Sequence, residues 1–514
     1  MGGSIVGNHF ERVRKLAVRL TEISSVNGTS GERDIVAFLD EHVRVSNTFG
    51  RGDIKLFSIP CIDDSVGRSV LVAHRPGRSN QGVLLFGHTD TVGTSDYGPL
   101  EALACRSQEL TRKVADGALG ADAQARARSG RWLFGRGLLD MKAGVAATLV
   151  AFQAIAESQP DGHLLWAATP DEEVGSRGVH ALTSWLSAYL ESAGVTLRAA
   201  INADFTGPVD RAVDWPWYQG SIGKVLLGVH VQGWPSHVGE PDVGLDPNAV
   251  VSEVTRRIVY SKDYQETVGD ECTPMPVSLR QRDDKPFYDV QTALSAGAFY
   301  NVLYMRDGPG DLFERFRRTV RSAVGDVYER HPGKNALPPT AVVSFDEVWA
   351  GLDQGQRAEI LWRTTTIADD RERARSMAAQ AAMFWTSGMV AVVYFANGLI
   401  PAVRTGEAGR PDWEHIVNAV RRDLGTSITL RHYYPYISDL SFVASSADWD
   451  DVVFRGNYPI YRAHNGTQSM LTDNIAMIGP WGIGAHRADE SIEMERTFHM
   501  LPLALQAACQ QILK

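Results

Sequence analysis

Leu84-Leu85-Phe86-Gly87-His88-Thr89-Asp90-Thr91-Val92 is the stretch on which the reading of this chain turns. Three apolar residues and a glycine read as the end of a buried strand. The strand delivers His88 and Asp90 on one side of the extended chain, because side chains two residues apart share a face. A carboxylate beside an imidazole fixes the ring tautomer and raises its basicity, as a metal-ligating histidine requires. Taken singly, such residues have plainer uses. Asp140 would serve as a helix N-cap, Glu172 and Glu173 as helix-start acids, and Asp204 as a turn residue. Their weight is collective: Asp140, Glu172, Glu173, Asp204 and His486 each follow an apolar run.

Outward from this stretch the chain alternates. Amphipathic helices are expected over 8–24 and 32–45, then strands near 54–59, 69–73 and 82–86. Residues 96–130 break the rhythm and read as a charged, solvated surface insertion. A strand at Trp132, a glycine turn and Asp140 then open an Ala-rich helix reaching about Glu157. Strand 163–168 leads to Glu172 and Glu173, helix 178–193 follows, and strand 199–202 leads to Asp204. In an alternating α/β layout such strand ends share one sheet edge, where sites form.

Near Gly220 the pattern changes to alternating strands and amphipathic helices, as in an antiparallel α+β domain. The expected organisation is a catalytic domain in two pieces, 1–221 and 401–514, around an inserted domain at 222–400. The last piece should carry helix 412–424, strands 427–431 and 475–478, and a helix from about Ser491.

The length of 514 residues calls for more than one ordinary domain. A net charge of -10 argues against a nucleic-acid partner, which rewards a basic face. Cys61, Cys105, Cys272 and Cys509 are far apart, so neither a disulfide framework nor a thiolate zinc site is expected. With no leader-like start and no run read as long enough to span a bilayer, the expectation is a cytoplasmic protein without a membrane partner.

His88, Asp140, Glu173, Asp204 and His486 supply two imidazoles and three carboxylates. Such mixtures suit Zn²⁺, with Mn²⁺ or Co²⁺ as substitutes. Five ligands exceed one tetrahedral ion and suit two ions sharing a carboxylate and a water. Asp140 is the natural bridge, with His88 and Asp204 on one ion and Glu173 and His486 on the other. Glu172 is left as general base, taking a proton from the bridging water and returning it to a leaving amine.

The ordered motifs HTD, GRGLLDMKAG, PDEEVGS, the lone Asp204 and GAH before ADE resemble the M20 family of metallopeptidases and amidohydrolases. The resemblance implies a zinc aminopeptidase-like α/β catalytic domain, a mixed sheet flanked by helices, with an inserted α+β lid. It implies the same ligand roles, Glu172 as base and Asp90 as partner of His88. It further implies His237, in the lid loop Gly233–Pro247, as a donor to the tetrahedral oxyanion, often across a homodimer formed by the lid. Asn248, Arg404, Ser438 and Asp439 are its substrate-binding candidates. The branch most resembled is the arginine-utilisation type, although the usual two glycines before Ser438-Asp439 are Tyr436 and Ile437. Arg280 and Arg282 also offer forks for a substrate carboxylate, against the plainer reading of solvated arginines.

The expected activity is hydrolysis of an amide bond in a small peptide or N-acyl amino acid. Two rivals remain: a non-hydrolytic relative performing ligation or isomerisation at such a centre, and a catalytically silent binding protein. A binder has no need of Glu172.

Overall fold

Runs such as Val83–Phe86 and Leu164–Ala168 are apolar without alternation, so they form strands covered on both faces. In the computed structural model they lie at the middle of an eight-stranded sheet. The model describes residues 3–46, 54–208, 215–403, 412–444, 448, 451–463 and 471–514. The sheet order is Lys55–Pro60, Ser69–Arg75, His163–Thr169, Gln81–His88, Thr196–Asn202, Ile475–Met477, Trp215–Tyr218 and Ile428–Arg431. Four central strands, from His163–Thr169 to Ile475–Met477, run parallel. His88, Thr169 and Asn202 are the last residues of their strands, so one edge collects the segments that follow them.

The helix Ala143–Glu157 packs at the centre of this unit, with most of its residues buried. Small side chains permit the close approach: a Cβ on Gly144 would stand 2.0 Å from the Ala203 carbonyl oxygen. Taken from Leu138 to Glu157, this helical run is long and apolar enough to cross a bilayer, contrary to the expectation that no such run exists. It is 94% buried as a core helix.

Three further readings change. Residues 96–130 are packed rather than a solvated excursion. They form helical segments Ser95–Leu103, Ser107–Ala115 and Ala121–Arg128, whose Tyr97, Leu110, Val114 and Ala127 join the core. Their charges occupy the outer faces of short amphipathic helices, which hid the inner apolar stripe. The last helix does not begin at Ser491. Ser491–Glu493 is a strand pairing with Trp132–Phe134, and helical structure starts at Glu495. Finally, the chain divides into one unit of Met1–Ser221, Val403–Ser445 and Gln468–Lys514, and another of Ile222–Ala402 with Ser446–Thr467. A segment expected in the C-terminal catalytic piece therefore belongs to the second unit. Asp451 in it caps its own short helix and accepts from the Gly310 amide at 3.0 Å.

The second unit is built on a five-stranded sheet ordered Val277–Asp283, Ser295–Tyr304, Gly223–Gln232, Val390–Phe395, Ala341–Ser344. All its pairings are antiparallel except the last. Helices Pro247–Ile258, Pro309–Arg330 and Asp370–Met383 cover it and share its apolar core. Asp246 and Pro247 start the first of these: the carboxylate accepts from the Asn248 amide, and proline occupies a position whose N–H would lack a partner.

Candidate metal centre

The strand Gln81–His88 ends on His88, whose side chain is 2% exposed. Its Nδ1 lies 3.2 Å from the Asp90 carbonyl oxygen and 3.6 Å from Asp90 Oδ1. Its Nε2 is directed at Asp140 Oδ1, 3.0 Å away, with Asp204 Oδ1 at 3.9 Å. His486 approaches from the other side: its Nε2 is 3.0 Å from Asp140 Oδ2 and 3.0 Å from Glu173 Oε1. Each oxygen of Asp140 thus faces a different imidazole. Two donor groups, His88–Asp140–Asp204 and Asp140–Glu173–His486, meet at that carboxylate, and His88–Glu172–Glu173 forms a third grouping. The five residues expected as ligands are brought together.

Asp90 organises the acidic loop. Its Oδ1 accepts from the Glu172 amide at 3.0 Å and its Oδ2 from the Glu173 amide at 3.1 Å. Neighbouring acids are thereby presented from a fixed backbone. Among the described residues, no hydrogen bond engages the Glu172 carboxylate.

Asp140 lies in an irregular turn between the Gly137 left-handed position and the helix at Ala143. Glu490 holds that turn, accepting from the Leu139 amide at 3.1 Å and the Asp140 amide at 3.4 Å. Arg136 donates to Glu490 at 2.8 Å and to both oxygens of Asp96 at 2.7 Å. Buried Lys142 donates to the Ile23 carbonyl at 2.8 Å. Sequence reasoning quoted Glu490 and Lys142 within motifs without giving them a role. The strand after Glu490 is what brings it beneath Asp140.

The electrostatics follow from burial. Burial opposes charge on His88, yet Asp140 and Asp90 hold its pKa well above the ordinary imidazole value. Burial likewise opposes ionisation of Asp140, but hydrogen bonds from His486 and His88 take it below the carboxylate range. Burial pushes Glu172, Glu173 and Asp204 up. Hydrogen bonds to Asp140 and Glu173 raise His486 to about 10. Several carboxylates in one low-dielectric pocket leave an excess of negative charge, which divalent cations would balance. The nitrogen–oxygen donor set and this excess both fit a metal centre.

The remaining expected residues that are described fall in both units. Ser438 and Asp439 are buried, at 0% and 1% exposure. The Ser438 hydroxyl accepts from the Leu440 amide at 3.3 Å, in the turn opening a short helix. Asp439 is a further carboxylate near Glu172, raised to about 7 by burial, with Oδ1 unpartnered. His237 and Asn248 lie in the second unit. His237 is exposed and Asn248 donates to Asp283 at 3.0 Å. Arg280 pairs with Glu372, and Arg282 is exposed. Arg404 lies outside the described residues.

A sequence model of peptidase family M20/M25/M40 matches residues 84–496. The chain belongs to that family and is a hydrolytic enzyme of the metallopeptidase and amidohydrolase kind. Two proteins of Bacillus subtilis (strain 168) are similar over nearly their whole length. YqjN is 30% identical, covering 97% of this chain and 96% of its own. RocB is 28% identical, covering 99% and 96%. The fold resembles that of the M20 family metallo-carboxypeptidase Sso-CP2 from Sulfolobus solfataricus, with a TM-score of 0.56 at 10% identity, over 98% of this chain and 99% of that one.

Proposed function

We propose that this chain is a dinuclear amidohydrolase, cleaving the amide bond of a short peptide or an N-acyl amino acid. The observation that carries this is Asp140, whose two oxygens stand 3.0 Å from His88 Nε2 and 3.0 Å from His486 Nε2. His88 and Asp204 would hold one divalent ion, Glu173 and His486 the other, and Asp140 both; zinc is the expected metal, with manganese or cobalt as substitutes. Two such ions, when bound, lower the pKa of water and polarise a carbonyl.

The chain's own groups perform the proton work. Glu172, whose carboxylate has no hydrogen bond among the described residues and is raised in pKa by burial, is suited to accept a proton from the attacking water. It then returns that proton to the nitrogen that leaves. Asp90 fixes the base by holding its backbone amide. His237 is assigned as the oxyanion donor. Its Nδ1 accepts from the Gly239 amide at 3.1 Å, which leaves the ring proton on Nε2, directed away from that turn. The sheet edge Val277–Asp283, with Leu279 59% exposed, supports pairing of two copies through the second unit. Four unpaired cysteines support a reducing, cytoplasmic setting.

Hydrolysis of dipeptides and N-acyl amino acids in ¹⁸O-labelled water tests this reading. Solvent oxygen should enter the product carboxylate with the wild type and fail to do so with Glu172→Gln. Turnover without solvent oxygen, or unimpaired turnover by Glu172→Gln, contradicts it.

A further inference from the structure

Asn27 lies in the turn between the first two helices, more than sixty residues before the acids of the site. That turn runs alongside the metal-site segment. Ser25 Oγ donates to the Thr89 carbonyl at 2.6 Å, the Thr91 amide to the Ser25 carbonyl at 3.0 Å, and the Asn27 amide to the Thr91 carbonyl at 2.9 Å. The lacing sets the Asn27 side chain against Asp90. Its Nδ2 donates to Asp90 Oδ2 at 3.2 Å and to Asp171 Oδ1 at 3.0 Å. Both partners are carboxylates and only accept, so the NH₂ group must face them, and both of its hydrogens are used.

Asp171 is itself the closure of the acidic loop. Its carbonyl oxygen accepts from the Ser176 amide at 2.5 Å, and its Oδ2 from the Arg177 amide at 3.2 Å. Its Oδ1 also receives Arg68 Nη1 at 2.6 Å. Arg68, 3% exposed, is held in turn by Glu32 and Asp64, with Nη2 2.7 Å from Asp64 Oδ1. The loop that presents Glu172 and Glu173 thus hangs between two carboxylates, Asp90 beneath its amides and Asp171 at its start. Asn27 is the neutral donor that joins them.

We propose that Asn27 is a positioning residue, which ties Asp90 to Asp171 so that the general base and the adjoining metal ligand stay in register with His88. This rests on the functional reading above for the role of Glu172, but its geometry concerns the ligand set as well. Groups that hydrogen-bond a metal ligand directly typically contribute 10- to 100-fold in metal affinity or activity, and Asn27, which bonds such a group in Asp90, should stand at the low end of that range.

The test is cobalt titration of the apoprotein together with steady-state kinetics, for wild type, Asn27→Ala, Asn27→Asp and Thr29→Ala. Thr29 shares the turn and its hydroxyl donates to the Val26 carbonyl at 2.6 Å, so its variant controls for the turn itself. Asn27→Ala should lower kcat and weaken cobalt binding by about 10-fold, with KM unchanged. Asn27→Asp keeps the shape but sets a third carboxylate against two others, so it should lose more than Asn27→Ala. Thr29→Ala should match the wild type. Wild-type kcat and cobalt affinity in Asn27→Ala would overturn the proposal, as would an Asn27→Asp variant that equals or exceeds Asn27→Ala. If the wild type cleaves no amide, the functional reading fails, and the cobalt affinities alone still decide the role of Asn27.

Discussion

The two units treat charge in opposite ways. In the first, Glu32, Arg68, Asp90, Asp140, Asp204 and Glu490 are each at most 5% exposed. They lie along the sheet edge where the parallel strands end or in the segments that support it. In the second, buried charge among the described residues is confined to Glu253 and Asp448, at 7% and 6%. Other ions in it pair nearer the surface, as Arg317 does with Glu347 at 2.6 Å. Removing charge from water is costly unless partners compensate it. A fold that buries many charges in one place is maintaining an arrangement, and here the arrangement is the candidate metal centre with its supports. The second unit is stabilised by an apolar core, and its sheet carries no comparable cluster among the described residues.

The sharpest break in this comparison is chemical. Glu172→Gln should lower amide turnover by roughly 10²- to 10⁴-fold while leaving metal content unchanged, as removal of a general base does. Retained turnover would take the base from this residue.

Arg68→Met comes next. It leaves Glu32 and Asp64 buried without their cation and Asp171 with only the exposed Arg177 at 3.6 Å. Breaking a buried pair from one side costs about 3–5 kcal/mol, readable by urea denaturation. A loss below about 1 kcal/mol would mean that the cluster is solvated in solution.

A pH experiment sharpens the contrast further. His74 bonds through Nδ1 to the Tyr189 hydroxyl at 2.8 Å and through Nε2 to His163 at 3.0 Å. Burial, then the neighbouring His163, lowers it from 6.5 to about 4. Between those values the unfolded chain binds a proton that the folded chain excludes, so stability falls as pH drops through this window. Above it this group has no effect. The loss from His74 reaches about 3 kcal/mol at the acid end. Melting His74→Phe across this range should show a shallower slope than the wild type; an unchanged slope would place the acid sensitivity elsewhere.

The smallest expected effect belongs to the second unit. Arg317→Ala should cost less than about 1 kcal/mol, because its partner Glu347 is half exposed. A loss as large as that of Arg68→Met would erase the distinction between the units.

Much of the candidate centre was legible in the sequence. His88, Asp140, Glu173, Asp204 and His486 follow apolar runs closely enough that strand periodicity alone placed most of them on one edge. What could not be read depends on pairings between distant segments. Glu490 reaches Asp140 only because Ser491–Glu493 pairs with Trp132–Phe134. Asn27 reaches Asp90 only because the first turn runs beside Thr91. In residues 96–130, charges on the outer helix faces masked Leu110 and Val114, which pack inside.

The central claim is that one carboxylate organises two metal positions, and elemental analysis of purified, metal-replete protein tests it most directly. The wild type should carry about two divalent ions per chain. Asp140→Ala, which removes the shared ligand, should carry neither, whereas His486→Ala should keep the ion held by His88 and Asp204. A wild type that binds a single ion, or an Asp140→Ala variant that retains two, would contradict the account.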